Sequence, residues 1–240
     1  DRMGVMFNRT SEGLLDFRRF GGTLHCRTAF AGATTGQQLI YALDEQVRRH
    51  EAAGLVKKRE FWECLGPILD DNGKVRGVAA LDQIRMTVHA LPADAVLMAT
   101  GGCGIIYGKS TLSTTCTGTA VASAYLEGAA YGNGEFIQVH PTAIPGADKL
   151  RLMAESARGE GGRVWVPRQK GDNRAPKSIP EAERWYFLEE RYPKYGNLVP
   201  RDIASRAIFK VCRELKLGID GKDVVYLDIS HIDRAVLEKK

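Results

Sequence analysis

Three short polar clusters stand out between Glu135 and Asp202: E-F-I-Q-V-H-P-T (Glu135 to Thr142), A-E-S-A-R-G-E-G-G (Ala154 to Gly162) and P-R-D (Pro200 to Asp202). They fall at Pro- and Gly-marked points rather than along an amphipathic wave, the pattern of a chain that lines a site instead of packing a core. Between Lys149 and Arg201 stand twelve Lys and Arg against seven Asp and Glu, a surplus equal to the whole chain's net charge of +5. Such a stretch attracts anions, and a small anionic substrate suits its Gly-rich, Glu-containing surround; a solvated basic face is the plainer alternative. Nucleic acid is not expected, because no Lys/Arg run and no aromatic–basic interleaving of an RNA-binding sheet occurs. Taken alone, His140 reads equally as a satisfied structural histidine or a ligand-binding one. Arg201 alone reads as a helix-start arginine paired to Asp202.

A second chemical signal lies upstream. Asp94 to Ala99 (D-A-V-L-M-A) is a continuous apolar run, expected to be a strand buried on both faces, and it ends in T-G-G-C-G (Thr100 to Gly104). A strand followed by A-T-G-G brings backbone amides up to a dinucleotide without side-chain obstruction, although Gly-Gly after a strand is also an ordinary turn.

The elements that must position these groups follow from capping, periodicity and turn chemistry. Thr34 or Thr35 caps a helix whose apolar side carries Leu39, Ala42, Leu43 and Val47, and which Gly54 stops. Strands are expected over Val56–Leu65, Val75–Leu81 and Ile84–Ala90, the first two joined through Gly66–Leu69 and a D-D-N-G turn at Asp70 to Gly73. A helix is expected from about Thr117 to Ala130, with small residues that permit close approach. After Gly134 proline and glycine become frequent, so the boundary is set there, giving 1–134 and 135–240. Arg168 to Arg184 is polar and aperiodic, an exposed loop inserted in a hairpin. Arg201–Leu217 is an amphipathic helix followed by Gly218, Val224–Ile229 a strand, and Asp233–Lys240 the start of another helix.

At 240 residues the chain holds one large domain or two ordinary ones. No apolar run approaches the roughly 18 residues of a membrane span, and no basic-then-apolar leader opens the chain, so no secretory signal is expected. Five scattered cysteines without a C-x-x-C make a disulfide framework or metal site unexpected and suit a reducing compartment.

The motifs F-R-R-F-G-G, R-T-A-F-A-G-A-T-T-G-Q-Q, A-T-G-G, E-F-I-Q-V-H-P-T, E-S-A-R-G-E-G-G, N-L-V-P-R-D-I-A-S-R and Y-L-D-I-S-H stand in this order along nearly the whole chain. In this the chain resembles the flavoprotein subunit of succinate dehydrogenase and fumarate reductase, most of all the form joined to a diheme-type membrane anchor. The resemblance implies an α/β FAD-binding domain of the two-dinucleotide-binding, glutathione-reductase-like type (1–134) plus an α+β capping domain (135–240), both incomplete. It implies FAD as cofactor, a C4 dicarboxylate substrate, an iron–sulfur partner subunit and, through that, a membrane anchor with quinone. The implied place is peripheral, on the cytoplasmic face of the inner membrane. His140 would bind a substrate carboxylate, with Phe20 facing the substrate. Arg201 would transfer a proton while flavin N5 exchanges a hydride, and Glu155 with Arg158 would relay that proton to solvent. Thr100, Gly101 and Gly102, with Thr117, Gly118 and Thr119, would contact the flavin diphosphate.

Two positions depart from the family pattern. Ala154 stands where Thr often precedes the relay glutamate, and Thr119 replaces Asp in the T-G-D-G loop. The family's G-x-G-x-x-G and a second substrate-binding histidine and arginine are not in this stretch, so the chain is expected to be an internal piece that alone binds FAD poorly and does not turn over. An L-aspartate oxidase-like enzyme is the nearest alternative, but such enzymes carry Glu in the R-x-G-G position of Phe20, where a phenyl ring suits plain methylene carbons. A non-catalytic fragment or assembly module that docks with an iron–sulfur partner is the alternative from another class.

Overall fold

The computed structural model describes residues 1–108, 110–147 and 150–235, and the helix start expected at Asp233–Lys240 therefore falls partly outside the described residues. The chain forms two compact units, one of Asp1–Val47, Gln138–Pro145 and Arg151–Lys240, the other of Arg48–Ile137 and Gly146–Leu150. The chain passes from the second unit to the first at 137/138, just beyond the composition shift at Gly134, and the N-terminal 47 residues pack with the first.

In the first unit, strands β1 (Phe17–Arg18) and β2 (Thr28–Ala29) pair antiparallel around the F-G-G-T loop. Helix α1 (Thr35–Ala52) starts and stops near the expected residues. The Thr34 carbonyl accepts the first helical bond, from Gln38 N at 2.9 Å, but the Thr35 hydroxyl turns back to accept from the Ala31 amide at 3.0 Å instead of capping a first-turn amide; Gly54 closes the far end with φ +74°. Its expected apolar face is only partly covered, since Ala42 is buried but Leu39, Leu43 and Val47 remain 40, 50 and 39 % exposed.

The second unit is built on an antiparallel meander of β3 (Trp62–Leu69), β4 (Val75–Asp82) and β5 (Thr87–Pro92). The D-D-N-G turn forms as expected: Asp70 O accepts from Gly73 N at 2.8 Å, and the Asp70 carboxylate caps Asn72 and Lys74 amides at 3.0 Å. β3 starts later than the expected Val56 and runs on through Gly66, where a register shift marks a bulge. β5 starts at Thr87 because Asp82 accepts from the Ile84 and Arg85 amides and makes a turn of the residues before it. The expected strand over 94–99 is not formed, and Leu97 is 92 % exposed. A strand buried on both faces needs a strand on each side to satisfy its backbone, and no strand of the described residues pairs with 94–99; every ladder among them is antiparallel. Helix α2 (Thr119–Leu126) is shorter than the Thr117–Ala130 expected and begins after a left-handed Gly118.

Back in the first unit, β6 (Ala143–Ile144) and β7 (Arg151–Leu152) pair antiparallel, and a single turn, α3 (Ser156–Gly159), follows. β8 (Arg163–Pro167) is the central strand of a small sheet, with β9 (Arg184–Trp185) on one side. The 168–183 segment is thus the expected loop inside a hairpin. Its arginines pair with its own and neighbouring carboxylates, as in Arg168–Glu190 and Arg174–Asp172, both at 2.6 Å. These carboxylates are already counted among the seven, so the pairing orders the loop and leaves the surplus of five in place.

Because side chains alternate along a strand, β8 serves two cores. Val164 and Val166 join Phe187 and Leu188 of α4 (Phe187–Arg191) with Val199, Ala204, Ala207 and Val211, while Trp165 on the opposite face packs with Ile179 and Tyr186. Each large side chain buried this completely contributes roughly 1.5–3 kcal/mol. Helix α5 (Arg201–Phe209) starts where expected but passes into a wider π turn over Lys210–Glu214 before ending near Gly218. β10 (Tyr226–Asp228) completes the sheet beside β8.

Candidate active site

The tightest cluster of ionisable groups lies where α3 meets the start of α5. Glu155 precedes α3, and one helical turn brings Arg158 back over it, with Arg158 Nη2 donating to Glu155 Oε1 at 2.9 Å. From α5, Arg201 donates to the same carboxylate through Nη2 at 3.0 Å and Nε at 3.4 Å. Asp202 instead pairs with Arg206 one turn along, at 2.6 Å, so Arg201 is not a simple helix-start ion pair. Glu155 and Arg158 are 5 and 2 % exposed, and the Arg201 side chain is 34 % exposed. A lone carboxylate this deeply buried would be costly; two guanidiniums compensate it and leave the trio net positive.

Burial pushes the Glu155 carboxyl up, but the Arg201 hydrogen bond and the charges of Arg201, Arg158 and His140 outweigh this and hold it below the usual range. Burial pushes the Arg158 guanidinium down, against the opposing charge of Glu155. The Arg158 side chain is fully buried: Nη1 donates to the Asn197 carbonyl at 2.6 Å, and Nε has no partner among the described residues. The exposed end of the trio is Arg201.

The F-G-G-T loop walls this cluster. Thr23 Oγ1 donates to the Phe20 carbonyl at 2.7 Å and accepts from its amide at 3.1 Å, and Gly22 N donates to Leu198 O at 2.7 Å, tying the loop to the residues just before Arg201. The Arg18 guanidinium lies over the Phe20 and Phe30 rings, 4.9 and 4.7 Å from their centroids, and orients the Phe20 side chain. Between loop and trio is an open cleft of about 320 Å³, lined by Phe20, Gly21, Gln138, Glu155, Arg201 and its neighbours in P-R-D. His140 is buried and is not on the cleft wall, whereas Gln138 is. The ring is held through Nδ1, 2.8 Å from the Thr142 carbonyl and 3.3 Å from the Thr142 amide. Burial lowers its pKa first; Arg201 and Arg158 lower it further, against the Thr142 carbonyl and Glu155. Ala154 carries no donor, as expected from its type.

Sequence reasoning named Phe20, Glu155, Arg158 and Arg201, and these do come together. It missed Gly21, Gln138 and Asn197. The doubled glycine after Phe20 was the available signal for the first; Gln138 and Asn197 lie in the E-F-I-Q-V-H-P-T and N-L-V-P-R-D motifs, which do not tell what either side chain touches.

In the second unit Thr100, Gly101 and Gly102 form an irregular turn in which Gly101 takes φ +77°. Thr117, Gly118 and Thr119 lead into α2, with the two threonine hydroxyls 3.0 Å apart. The segments meet: Ile105 N donates to Cys116 O at 3.2 Å, and a Cβ on Gly118 would fall 2.8 Å from Cys103 Cβ. A Cβ on Gly102 would point into open space. Bare backbone at adjoining glycine turns beside a helix start fits a diphosphate. No group of three or more metal-ligating side chains occurs among the described residues, and no helix among them is long and apolar enough to cross a membrane.

Residues 1–240 match the FAD binding domain family throughout, and the bare backbone at these glycine turns accords with that match. The chain belongs to that family, whose cofactor is FAD. It is 63 % identical over 240 residues to the succinate dehydrogenase flavoprotein subunit of Bacillus subtilis (strain 168), covering 100 % of this chain and 39 % of that protein. It is 32 % identical over 247 residues to the fumarate reductase flavoprotein subunit of Escherichia coli (strain K12), covering 99 % of this chain and 38 % of that protein. A solved quinol-fumarate reductase with menaquinol molecules matches with a TM-score of 0.80 at 30 % identity, over 99 % of this chain and 40 % of that one. Mycobacterium smegmatis Sdh1 in complex with UQ1 matches with a TM-score of 0.65 at 30 % identity, over 99 % and 38 %. The resemblance to succinate dehydrogenase and fumarate reductase flavoprotein subunits and the FAD-binding fold class are borne out. The chain spans about 40 % of the length of these relatives.

Proposed function

We propose that the protein carrying this chain interconverts succinate and fumarate with FAD, and that Arg201, Glu155 and Arg158 handle the proton. The observation that carries the reading is the Arg201–Glu155 pair, 3.0 Å apart on the wall of a cleft that also contains Phe20. Bound FAD supplies hydride exchange at one central carbon of the substrate. Arg201 delivers or removes the proton at the other. A guanidinium is effectively always charged, so this works only if the proton is exchanged as it moves; Glu155, within hydrogen-bond distance of Arg201, and Arg158, bonded to Glu155, would form the relay that takes it from or returns it to solvent. His140, with the cationic trio, favours a substrate carboxylate. Phe20 offers an apolar face to methylene carbons and no carboxylate for an amino group, which favours succinate over aspartate. Thr100, Gly101, Gly102, Thr117, Gly118 and Thr119 would hold the FAD diphosphate. Residues 1–134 would then belong to the FAD-binding domain and 135–240 to the capping domain. Electrons would pass to an iron–sulfur partner subunit and on to a quinone-binding, diheme-type anchor, with the protein peripheral on the cytoplasmic face.

Dye-linked oxidation by the full-length flavin-loaded protein tests the reading. Succinate is expected to be oxidised and aspartate not. Clear aspartate turnover, or a folded colourless protein that still binds its partner, would overturn it.

A further inference from the structure

The hold on Arg158 does not come from Glu155 alone. Its Nη1 donates to the backbone carbonyl of Asn197 at 2.6 Å, and Asn197 is pinned at both ends of its own amide. Asn197 Oδ1 accepts from the Val164 amide of β8 at 2.9 Å, and Nδ2 donates to Glu189 Oε1 of α4 at 2.7 Å. Glu189 in turn receives a two-point contact from Arg163, at 2.9 and 2.8 Å. Both anchoring elements are rigid: Val164 and the Phe187–Leu188 pair of α4 are 0 % exposed. Asn197 and Glu189 are not on the cleft wall.

We propose that Asn197, clamped between the Val164 amide and Glu189, is a positioning residue that sets where the Arg158 guanidinium stands and, through it, how Glu155 faces Arg201. The proposal rests on the reading of Arg201 and Glu155 as the proton-transfer pair. Arg158 is a buried guanidinium whose Nε has no acceptor among the described residues. If the Asn197 carbonyl turned away, a second donor would be stranded, and a buried unpaired donor costs more than a made bond gains. The guanidinium would shift to recover an acceptor, and Glu155 would lose part of the charge that stabilises its ionised form.

The substitution Asn197→Asp places a second carboxylate at hydrogen-bond distance from Glu189, turning a bond into a like-charge contact. Adding Glu189→Gln restores a donor–acceptor pair with reversed polarity. In the full-length flavin-loaded protein, kcat for succinate is expected to fall about tenfold in N197D with KM little changed. The acid limb of its kcat–pH profile should move to higher pH, and the double variant should recover most of both effects. Asn197→Ala, which adds no charge and is gentler on folding, should displace the limb in the same direction. An acid limb that stays in place in the variants, or a kcat within roughly twofold of the parent, overturns the proposal. If the parent protein binds flavin but shows no succinate turnover, the functional reading fails separately. The pH dependence of malonate binding, followed through the flavin spectrum, then decides on Asn197: a displaced dependence in N197A supports it and an unmoved one overturns it.

Discussion

Gly21 and Glu155 are so close that no side chain fits between them: a Cβ at Gly21 would stand 2.5 Å from Glu155 Oε1 and 3.3 Å from its Cδ. The carboxylate that bridges two arginines therefore reaches its place because residue 21 has no side chain. Gly21→Ala is expected to displace Glu155 and lower kcat for succinate by about tenfold or more, with flavin retained. Gly22→Ala is the control. There φ is +79°, so alanine strains the backbone by about 1–2 kcal/mol, but the nearest atom is Pro200 Cγ at 3.4 Å and Glu155 is untouched. Melting temperature should fall in the Gly22 variant and turnover in the Gly21 variant; the opposite pattern would remove Gly21 from the site.

Arg201 touches Glu155 through two nitrogens, a contact that lysine cannot reproduce with a single ammonium. Arg201→Lys should keep a positive charge in the cleft and so keep dicarboxylate binding largely intact, while turnover nearly disappears. Steady-state kinetics and a malonate titration of the flavin spectrum separate the two. Unchanged turnover would refute proton transfer by Arg201.

Local signals located most of the scaffold. Gly54 ends α1, Asp70 to Gly73 fixed the meander's first turn, and the polar 168–183 run lies inside the β8–β9 hairpin as its lack of period implied. The failures share one cause. A run such as Asp94 to Ala99 is apolar enough for a buried strand, but whether strands exist to pair with it is not encoded within the run. Gly21 and Asn197 stand in the F-R-R-F-G-G and N-L-V-P-R-D motifs, but they matter through atoms far away in sequence, which the motifs alone do not reveal. The Arg201–Glu155–Arg158 trio was legible because ionisable side chains in polar clusters announce themselves, while a glycine and an asparagine that hold the trio still do not.

Leu188 is fully buried in the core that α4, α5 and β8 share, one residue from Glu189. Leu188→Ala should destabilise by roughly 2–5 kcal/mol through lost burial and a residual cavity, lowering the temperature at which the full-length protein unfolds. Scanning calorimetry or denaturant unfolding reads this directly. A change below about 1 kcal/mol would mean that the core relaxes around the cavity and is not the rigid backing described for Asn197.

His140 gives a pH dependence with a definite sign. Burial first, then the charges of Arg201 and Arg158, lower its pKa from the ordinary value of 6.5. As pH falls below about 6.5 the unfolded chain takes up this proton before the folded one, so the folded state loses stability through that window until His140 is itself protonated. His140 is not on the cleft wall, so the proposed role requires that a bound dicarboxylate reach its ring; a carboxylate that does so reverses the balance. With Nδ1 donating to the Thr142 carbonyl at 2.8 Å, a neutral ring presents only a lone pair at Nε2, whereas an imidazolium donates there. Malonate binding should therefore take up part of a proton near pH 7 and tighten as pH falls toward 6. Calorimetric titration in two buffers of different ionisation enthalpy measures that uptake, and His140→Gln should abolish it while weakening binding. Equal binding enthalpies in both buffers for the parent protein would show that His140 does not meet the carboxylate as a cation.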